Sequence, residues 1–472
     1  MKQTRSGIRL ISLILAFGVL ITAVTYAGSI YVSGRKWLNN EQNTRISAAR
    51  KTTLQGTIYD SAGTALAESY TAGERHYISD DAARLALAHT IGDQYGQSAG
   101  GAESRFATTL LGMTDLTRTE LTISAITGSD PVGYDIVLTV NAELCKYAAS
   151  LFPKGKTGAL VLINYKTGAI LAKVSLPAFD PANIEASVAD TAYYDRVLQY
   201  RYAPGSTFKT VTLISALQNL PGVENETFDC EGTWQFADYT LKCAGSQAHG
   251  EMNLVRAFAE SCNITFARLA YRMGAEKLKA TAESFGFNRT FSFDDVRLNP
   301  SYCLNGASTA GEVLQAGFGQ GTTQATPLHM AMISGAIANG GEMMEPKIIR
   351  EIRRHQSGAI STMQSEVFLR AADEDTCLKA AKYMYEAVRS GTGTRAKISG
   401  HTDGYVCGKT GSAESTNDKS AETDAWYTGF IYGDEAHPYA IAVVIEKGGS
   451  GGQTAAPIAA AVMKKAMELS VY

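Results

Sequence analysis

From Leu10 to Gly34 the chain carries no charged residue, with Lys2, Arg5 and Arg9 before the run and Arg35 and Lys36 closing it. A helix crossing the hydrocarbon core needs about 20 apolar residues, whereas the apolar stretch of a cleaved signal peptide has about 7–15. The run therefore predicts a retained transmembrane anchor at 10–34; Thr25-Tyr26-Ala27 is the small-x-small alternative for cleavage. A short basic tail, 1–9, favours the cytoplasmic side, which places the chain from about residue 37 onward outside the cell membrane.

The 472 residues suffice for two to three domains at about 150 residues each. With 45% hydrophobic and 19% charged residues the chain is neither disordered nor collagen-like. A net charge of −3 provides no positive field for phosphate backbones, so no nucleic-acid partner is expected. The cysteines (Cys145, Cys230, Cys243, Cys262, Cys303, Cys377, Cys407) contain no CxxC pair and the histidines no HExxH, so neither a zinc cluster nor a zinc helix is indicated. Cys230 and Cys243 bracket a short segment that a disulfide would close in an oxidising compartment; two buried thiols are the other reading.

After a polar stalk over 36–51, residues 56–64 alternate into a Gly turn, residues 80–91 and 102–111 show helical spacing, and 135–140 is a strand leading into a helix over 142–152. Pro153-Lys154-Gly155-Lys156 then breaks the chain. This reads as a small mixed domain over 35–150 and a second domain over 151–472. The second opens with a hairpin, 158–164 and 169–175, turns helical over 206–218, 251–272, 275–285 and 326–339, and returns to strands at 406–414, 425–432 and 439–446 before a helix over 454–469. The predicted fold class is α/β (α+β): one antiparallel sheet closed by the two ends of the domain and flanked by helices, plus the small domain and one transmembrane helix.

Three short motifs carry chemistry. In Tyr202-Ala203-Pro204-Gly205-Ser206-Thr207-Phe208-Lys209, Pro-Gly starts a helix that holds Ser206 in its first turn, with Lys209 one turn on. A serine hydroxyl attacks only if a neighbour takes its proton, and a desolvated lysine can do so. Ser261-Cys262-Asn263 adds a second hydroxyl and an amide. Lys409-Thr410-Gly411-Ser412 opens a terminal strand and adds a cation, two hydroxyls and a glycine against which a ligand can lie. The trio, in this order, is the set found in penicillin-binding proteins and serine β-lactamases. Two decoys fall away. Gly404 and Gly408 enclose three residues rather than the four of a phosphate-binding loop, and Gly317-Phe318-Gly319-Gln320-Gly321 follows a helical pattern rather than a strand.

From anchor to C-terminus the chain resembles a class B penicillin-binding protein, a membrane-anchored peptidoglycan D,D-transpeptidase. The likeness includes Gly56-Thr57-Ile58-Tyr59-Asp60, the box around Ser206, His249-Gly250, Gly319-Gln320-Gly321 with Thr326-Pro327, and Gly391-Thr392-Gly393 before Gly408-Lys409-Thr410-Gly411. Three positions depart from it: Gln55 where arginine is usual, Ser412 where threonine is, and Asp424 where a histidine often precedes Ala-Trp. The resemblance implies that Ser206 attacks the peptide bond between the two D-alanines of a stem peptide, with Lys209 as base. Ser261 and Lys409 would pass a proton to the leaving amine, and Asn263 would hold the substrate amide. The N–H groups of Ser206 and Ser412 would form the oxyanion hole, with Thr410, Gly411 and Ser412 binding the terminal carboxylate. Cys262 is then expected to be buried and turned from the cleft. β-Lactams would acylate Ser206, and no metal or organic cofactor is implied. The first domain resembles a short pedestal, too small for a glycosyltransferase, so the resemblance implies a multi-pass membrane glycosyltransferase as partner. A D,D-carboxypeptidase or β-lactamase, and a β-lactam-acylated receptor or scaffold, are the alternatives; the short tail argues against a receptor and the intact trio against a scaffold.

Overall fold

The computed structural model describes residues 44–471 except 97, 99, 114–131, 185–189, 238, 294, 307, 356–357, 402 and 415–421, together with 15, 17–22 and 25. Most of the Leu10–Gly34 run therefore lies outside the described residues. Leu15, Phe17, Val19 and Leu20 are helical and exposed, and among the described residues no helix is long and apolar enough to cross a membrane.

The sheet of the second domain has five strands: β1 (Gly158–Asn164), β2 (Ile170–Leu176), β3 (Tyr405–Glu414), β4 (Thr423–Tyr432) and β5 (Tyr439–Ile445). Their order is β3-β4-β5-β1-β2, with every neighbouring pair antiparallel. As expected, the two ends of the domain meet in its middle, Ala440 opposite Ile163 and Val444 opposite Ala159. Every residue of β1 and β5 is buried, because these near-continuous apolar runs are covered on both faces. The helices around the sheet are α1 (Lys209–Asn219), α2 (Asn263–Ser284), α3 (Pro327–Ala338), α4 (Glu374–Arg389) and α5 (Ala455–Glu468), of which α3 and α5 pack on β4 and β5. Thr326 caps α3, whose residues are all buried, and Pro327 supplies the pre-set first turn.

Four details differ from the sequence reading. The segment opening α1 is a turn of 3₁₀-helix, Gly205–Phe208, so Ser206 precedes the α-helix rather than lying within it. The stretch read as one helix over 251–272 begins as a strand, Gly250–Asn253, paired with Thr227–Cys230, and continues as the short helix Leu254–Ala259. The chain then breaks at Ser261 (φ 62°), after which α2 runs from Asn263 and kinks at Gly274 (φ 78°, ψ 166°). Finally, α4 is an amphipathic helix between Asp373, whose carboxylate accepts the Thr376 N–H, and Arg389.

A second sheet of six strands has the order 359–362, 349–354, 134–138, 58–59, 65–68, 76–77. The first two of these form a hairpin that leaves the chain between α3 and α4 and pairs antiparallel with Tyr134–Leu138. The chain therefore crosses back to the six-stranded sheet after the five-stranded one has begun. Thr139 joins the two layers by donating its hydroxyl to the Ile170 carbonyl (2.7 Å), and the Asn141 N–H donates to Leu171 (3.0 Å). Gln55, at the position where the resemblance has arginine, donates to Glu103 (2.7 Å), whose other oxygen pairs with buried Arg75 (2.6 Å).

Candidate active site

The nucleophile turn is fixed by glycines. Gly205 has φ +53° and donates its N–H to the Gly319 carbonyl (2.9 Å). A Cβ on Gly319, itself at φ +74°, would stand 2.1 Å from the Gly205 oxygen. The Gly319-Gln320-Gly321 loop thus closes under the turn only because residue 319 has no side chain. In a 3₁₀ turn the side chains of residues i and i+3 eclipse, so Ser206, half-buried, and Lys209, fully buried, project to the same side.

Lys209 donates to the Ser261 carbonyl (2.6 Å), the Ser261 hydroxyl (3.1 Å) and the Asn263 side-chain oxygen (2.7 Å). Burial drives its pKa down to about 7; the nearby Cys262 and Cys243 sulfurs oppose the shift. The carbonyl and hydroxyl of Ser261 both reach the amine because this residue holds a left-handed conformation, a strain of order 1–3 kcal/mol in a non-glycine residue. Asn263 is fixed from its other end, its Nδ2 donating to the Lys242 carbonyl (3.0 Å).

β3 forms the opposite wall and is an edge strand of the sheet. A Cβ on Gly411 would meet the Pro204 oxygen at 3.0 Å and Trp426 Cβ at 3.1 Å, so glycine lets the strand lie against the nucleophile turn. Lys409 is fully buried over the Phe258 ring, 5.7 Å from its centroid, and donates to the Thr410 carbonyl (3.1 Å). Burial, reinforced by the Lys209 charge, pushes the Lys409 amine well below the usual lysine range. Among the described residues neither lysine has a carboxylate partner. Two buried amines whose pKa values are lowered, neither with a carboxylate partner among the described residues, mark a candidate functional site. Ser412 is exposed at the cleft, its hydroxyl accepting the Gly451 N–H (3.2 Å).

The structure thus brings Ser206, Lys209, Ser261, Asn263, Lys409, Thr410, Gly411 and Ser412 to one cleft. Two participants had no role in the sequence reading. Thr392 shares a 2.6 Å hydrogen bond with the Thr410 hydroxyl, and Gly451 meets Ser412. The Gly391-Thr392-Gly393 signature was visible, but its partner lies on another element. Asp424 accepts the Lys447 N–H (2.9 Å) and ties β4 to the following turn. Cys262 is buried as expected, its sulfur receiving the Thr265 hydroxyl (3.2 Å). Spacing indicated no metal cluster, yet the ligand atoms of Cys230, Cys243, His249 and Cys262 all lie within 4.8 Å of one another. Cys230 and Cys243 are free thiols here, sulfurs 3.6 Å apart.

Residues 158–464 match the family described as penicillin binding protein transpeptidase domain. The peptidoglycan D,D-transpeptidase PbpA of Mycolicibacterium smegmatis is 30% identical over 376 residues, covering 72% of this chain and 74% of that protein. Stage V sporulation protein D of Bacillus subtilis is 31% identical over 72% of this chain and 54% of its own length. Among solved structures, penicillin-binding protein A from M. tuberculosis as a ceftriaxone acyl-enzyme complex superposes with a TM-score of 0.80 at 25% identity, covering 89% of this chain and 99% of that one. The chain belongs to the penicillin-binding protein transpeptidase family.

Proposed function

We propose that the protein is a membrane-anchored peptidoglycan D,D-transpeptidase that cross-links stem peptides through an acyl-enzyme on Ser206. The observation that carries this is a buried lysine, Lys209, held down to about 7 on the same side as the serine and bonded to a second hydroxyl. The donor peptide lies along the free edge of β3, its terminal carboxylate met by Thr410, Ser412 and the Lys409 charge. Ser206 Oγ bonds to the penultimate D-alanine carbonyl carbon while its proton passes to neutral Lys209. The oxyanion is held by the N–H groups of Ser206 and Ser412. Ser261 gives its proton to the departing D-alanine amine as the C–N bond breaks, and takes one back from Lys209. The ester is then attacked by an amine of a second stem peptide, whose proton returns to Ser206 through Lys209. A β-lactam enters by the first step, but its amine stays tethered after ring opening, so no leaving group clears the site. The relatives named D,D-transpeptidases favour an amine over water as acceptor.

Acylation follows the neutral form of Lys209, which faces Lys409 from β3 and the Cys262 and Cys243 sulfurs from behind. Raising pH removes the lysine proton, so the labelling rate with a fluorescent penicillin climbs, passes its midpoint at about pH 7 and levels off above it. Below that it falls about tenfold per pH unit. A rate flat from pH 5 to 8 contradicts Lys209 as the base.

The uncharged Leu10–Gly34 run supports a membrane anchor with the catalytic domain outside. Protease added to cells with opened outer layers should digest that domain, and full protection contradicts the topology. The brevity of the segment between anchor and residue 158 supports a separate glycan polymerase. Purification in mild detergent is expected to retain a multi-pass membrane glycosyltransferase; recovery of the chain alone contradicts the partnership.

A further inference from the structure

We propose that the cavity between the helix Thr44–Thr52 and the segments around Gln94 and Ser104 binds a phosphate-bearing anion, and that the headgroup of an anionic phospholipid is its occupant. The cavity measures about 310 Å³, far more than the roughly 10–15 Å³ that one water needs. Its walls are of two kinds. Ile46, Tyr95 and Ala107 give it apolar surface, while Arg50, Lys51 and Ser104 give it hydrogen-bond donors. The helix is held beside it by Ile46 and Ala49, which pack on Ala107, Leu111 and Met113.

Two of these donors are orphans. Ser104 is more than nine-tenths buried and its hydroxyl has no hydrogen-bond partner; neither has the buried Nε of Arg50. An unpaired buried donor destabilises the fold, and a charged acceptor placed in the cavity removes that penalty. The nearby carboxylates are engaged elsewhere. Glu103 accepts from Arg75 (2.6 Å) and Gln55 (2.7 Å), and Asp93 accepts the N–H groups of Tyr95 and Ser98 (both 2.8 Å). Arg50 Nη2 donates to the Glu103 backbone carbonyl (3.1 Å), and among the described residues neither Arg50 nor Lys51 has a carboxylate partner. A ligand matching this set accepts several hydrogen bonds, donates none and carries negative charge. A phosphodiester does all three, and its oxygens suit the guanidinium fork of Arg50.

The place of the cavity in the chain selects the source of the phosphate. Nine residues separate the uncharged run ending at Gly34 from Thr44, a reach of at most about 35 Å. From Arg35 to Lys51 the chain carries five basic residues and one acidic, the bias that draws a segment toward anionic lipid. A headgroup with its glycerol also covers Ile46 and Ala107, which inorganic phosphate leaves bare. The choice of a lipid rests on the anchor proposed above, whereas the anion site stands on the cavity alone. Bound there, the headgroup would tie the helix Thr44–Thr52 to the membrane surface.

The test uses the full-length protein in a mild non-ionic detergent, where binding of a short-chain lipid needs no bilayer. Native mass spectrometry with dihexanoyl-phosphatidylglycerol should show one saturable lipid per chain. Dihexanoyl-phosphatidylcholine, glycerol 3-phosphate and inorganic phosphate should each bind at least about tenfold more weakly. Arg50→Gln, Lys51→Gln and Ser104→Ala should each weaken phosphatidylglycerol binding about tenfold, the scale of one hydrogen bond to a charged group. Lys51 is exposed, so its variant keeps the test informative if Arg50→Gln disturbs the contact with Glu103. Arg35→Gln combined with Lys36→Gln removes charge outside the cavity and should leave binding unchanged. All four proteins should label with penicillin at the wild-type rate, which shows that the catalytic domain is intact. Absence of saturable binding, or an equal loss in the Arg35/Lys36 variant, overturns the site. Inorganic phosphate or glycerol 3-phosphate binding as tightly as phosphatidylglycerol overturns the lipid as its occupant.

Discussion

Ser206→Ala forms no covalent adduct with a fluorescent penicillin, while its melting temperature stays within experimental scatter of the wild type. The two halves of this expectation have separate causes. Ser206 stands at the mouth of the cleft on a turn whose N-cap is Pro204, so its hydroxyl is not what holds that turn together. Deleting a half-buried hydroxyl of this kind changes stability by about 0.5 kcal/mol or less. The chemistry has no substitute for it. Ser261 has its hydroxyl on Lys209 and belongs to a strained turn, and Ser412 lies on the far wall. A folded Ser206→Ala protein that labels at the wild-type rate removes Ser206 as nucleophile.

Lys209→Met leaves the nucleophile in place and removes the base, and labelling falls about 10²–10⁴-fold. Methionine fills the same buried volume without a charge. Relief of the buried, desolvated amine then offsets the three hydrogen bonds lost to Ser261 and Asn263, so the melting temperature changes little. Lys209→Arg is the sharper comparison. It keeps a cation in the site but holds its proton at any accessible pH, and so is as inactive as the methionine variant. Measured with one penicillin at one pH, a Lys209→Met rate within a few-fold of wild type contradicts general-base catalysis by this residue.

The parts of the molecule legible in the sequence are those whose signal is local. The runs at 158–164 and 439–445 bury both faces, so their apolar composition shows whatever they pair with. Ser206 and Lys209 lie within one turn, and their shared direction follows from spacing alone. The hairpin over 349–362 is another matter. Its partner, Tyr134–Leu138, lies about two hundred positions away, and nothing in Ile349-Arg350-Glu351-Ile352 names it. The convergence of Cys230, Cys243, His249 and Cys262 was hidden for a related reason: twelve, five and twelve residues separate them, and only the pairing of Cys230 with Gly250 closes the distance. The helix over 374–389 carries its own cap and amphipathic pattern, a local signal of the same readable kind. Gly319 illustrates the limit at a single residue. Its glycine signature was visible, but its reason is a carbonyl on another loop, which no local pattern contains.

The central claim is that acyl transfer from Ser206 ends on an amine. The direct measurement incubates full-length protein in detergent with a synthetic D-Ala-D-Ala donor peptide and a separate amine-bearing acceptor peptide, and follows both protein and peptide masses. The expected result is a transient adduct on Ser206 equal to the donor minus D-alanine, free D-alanine, and a cross-linked product that appears only when acceptor is present and never with Ser206→Ala. A donor converted only to its hydrolysed form, at the same rate with or without acceptor, would contradict it and make the protein a carboxypeptidase.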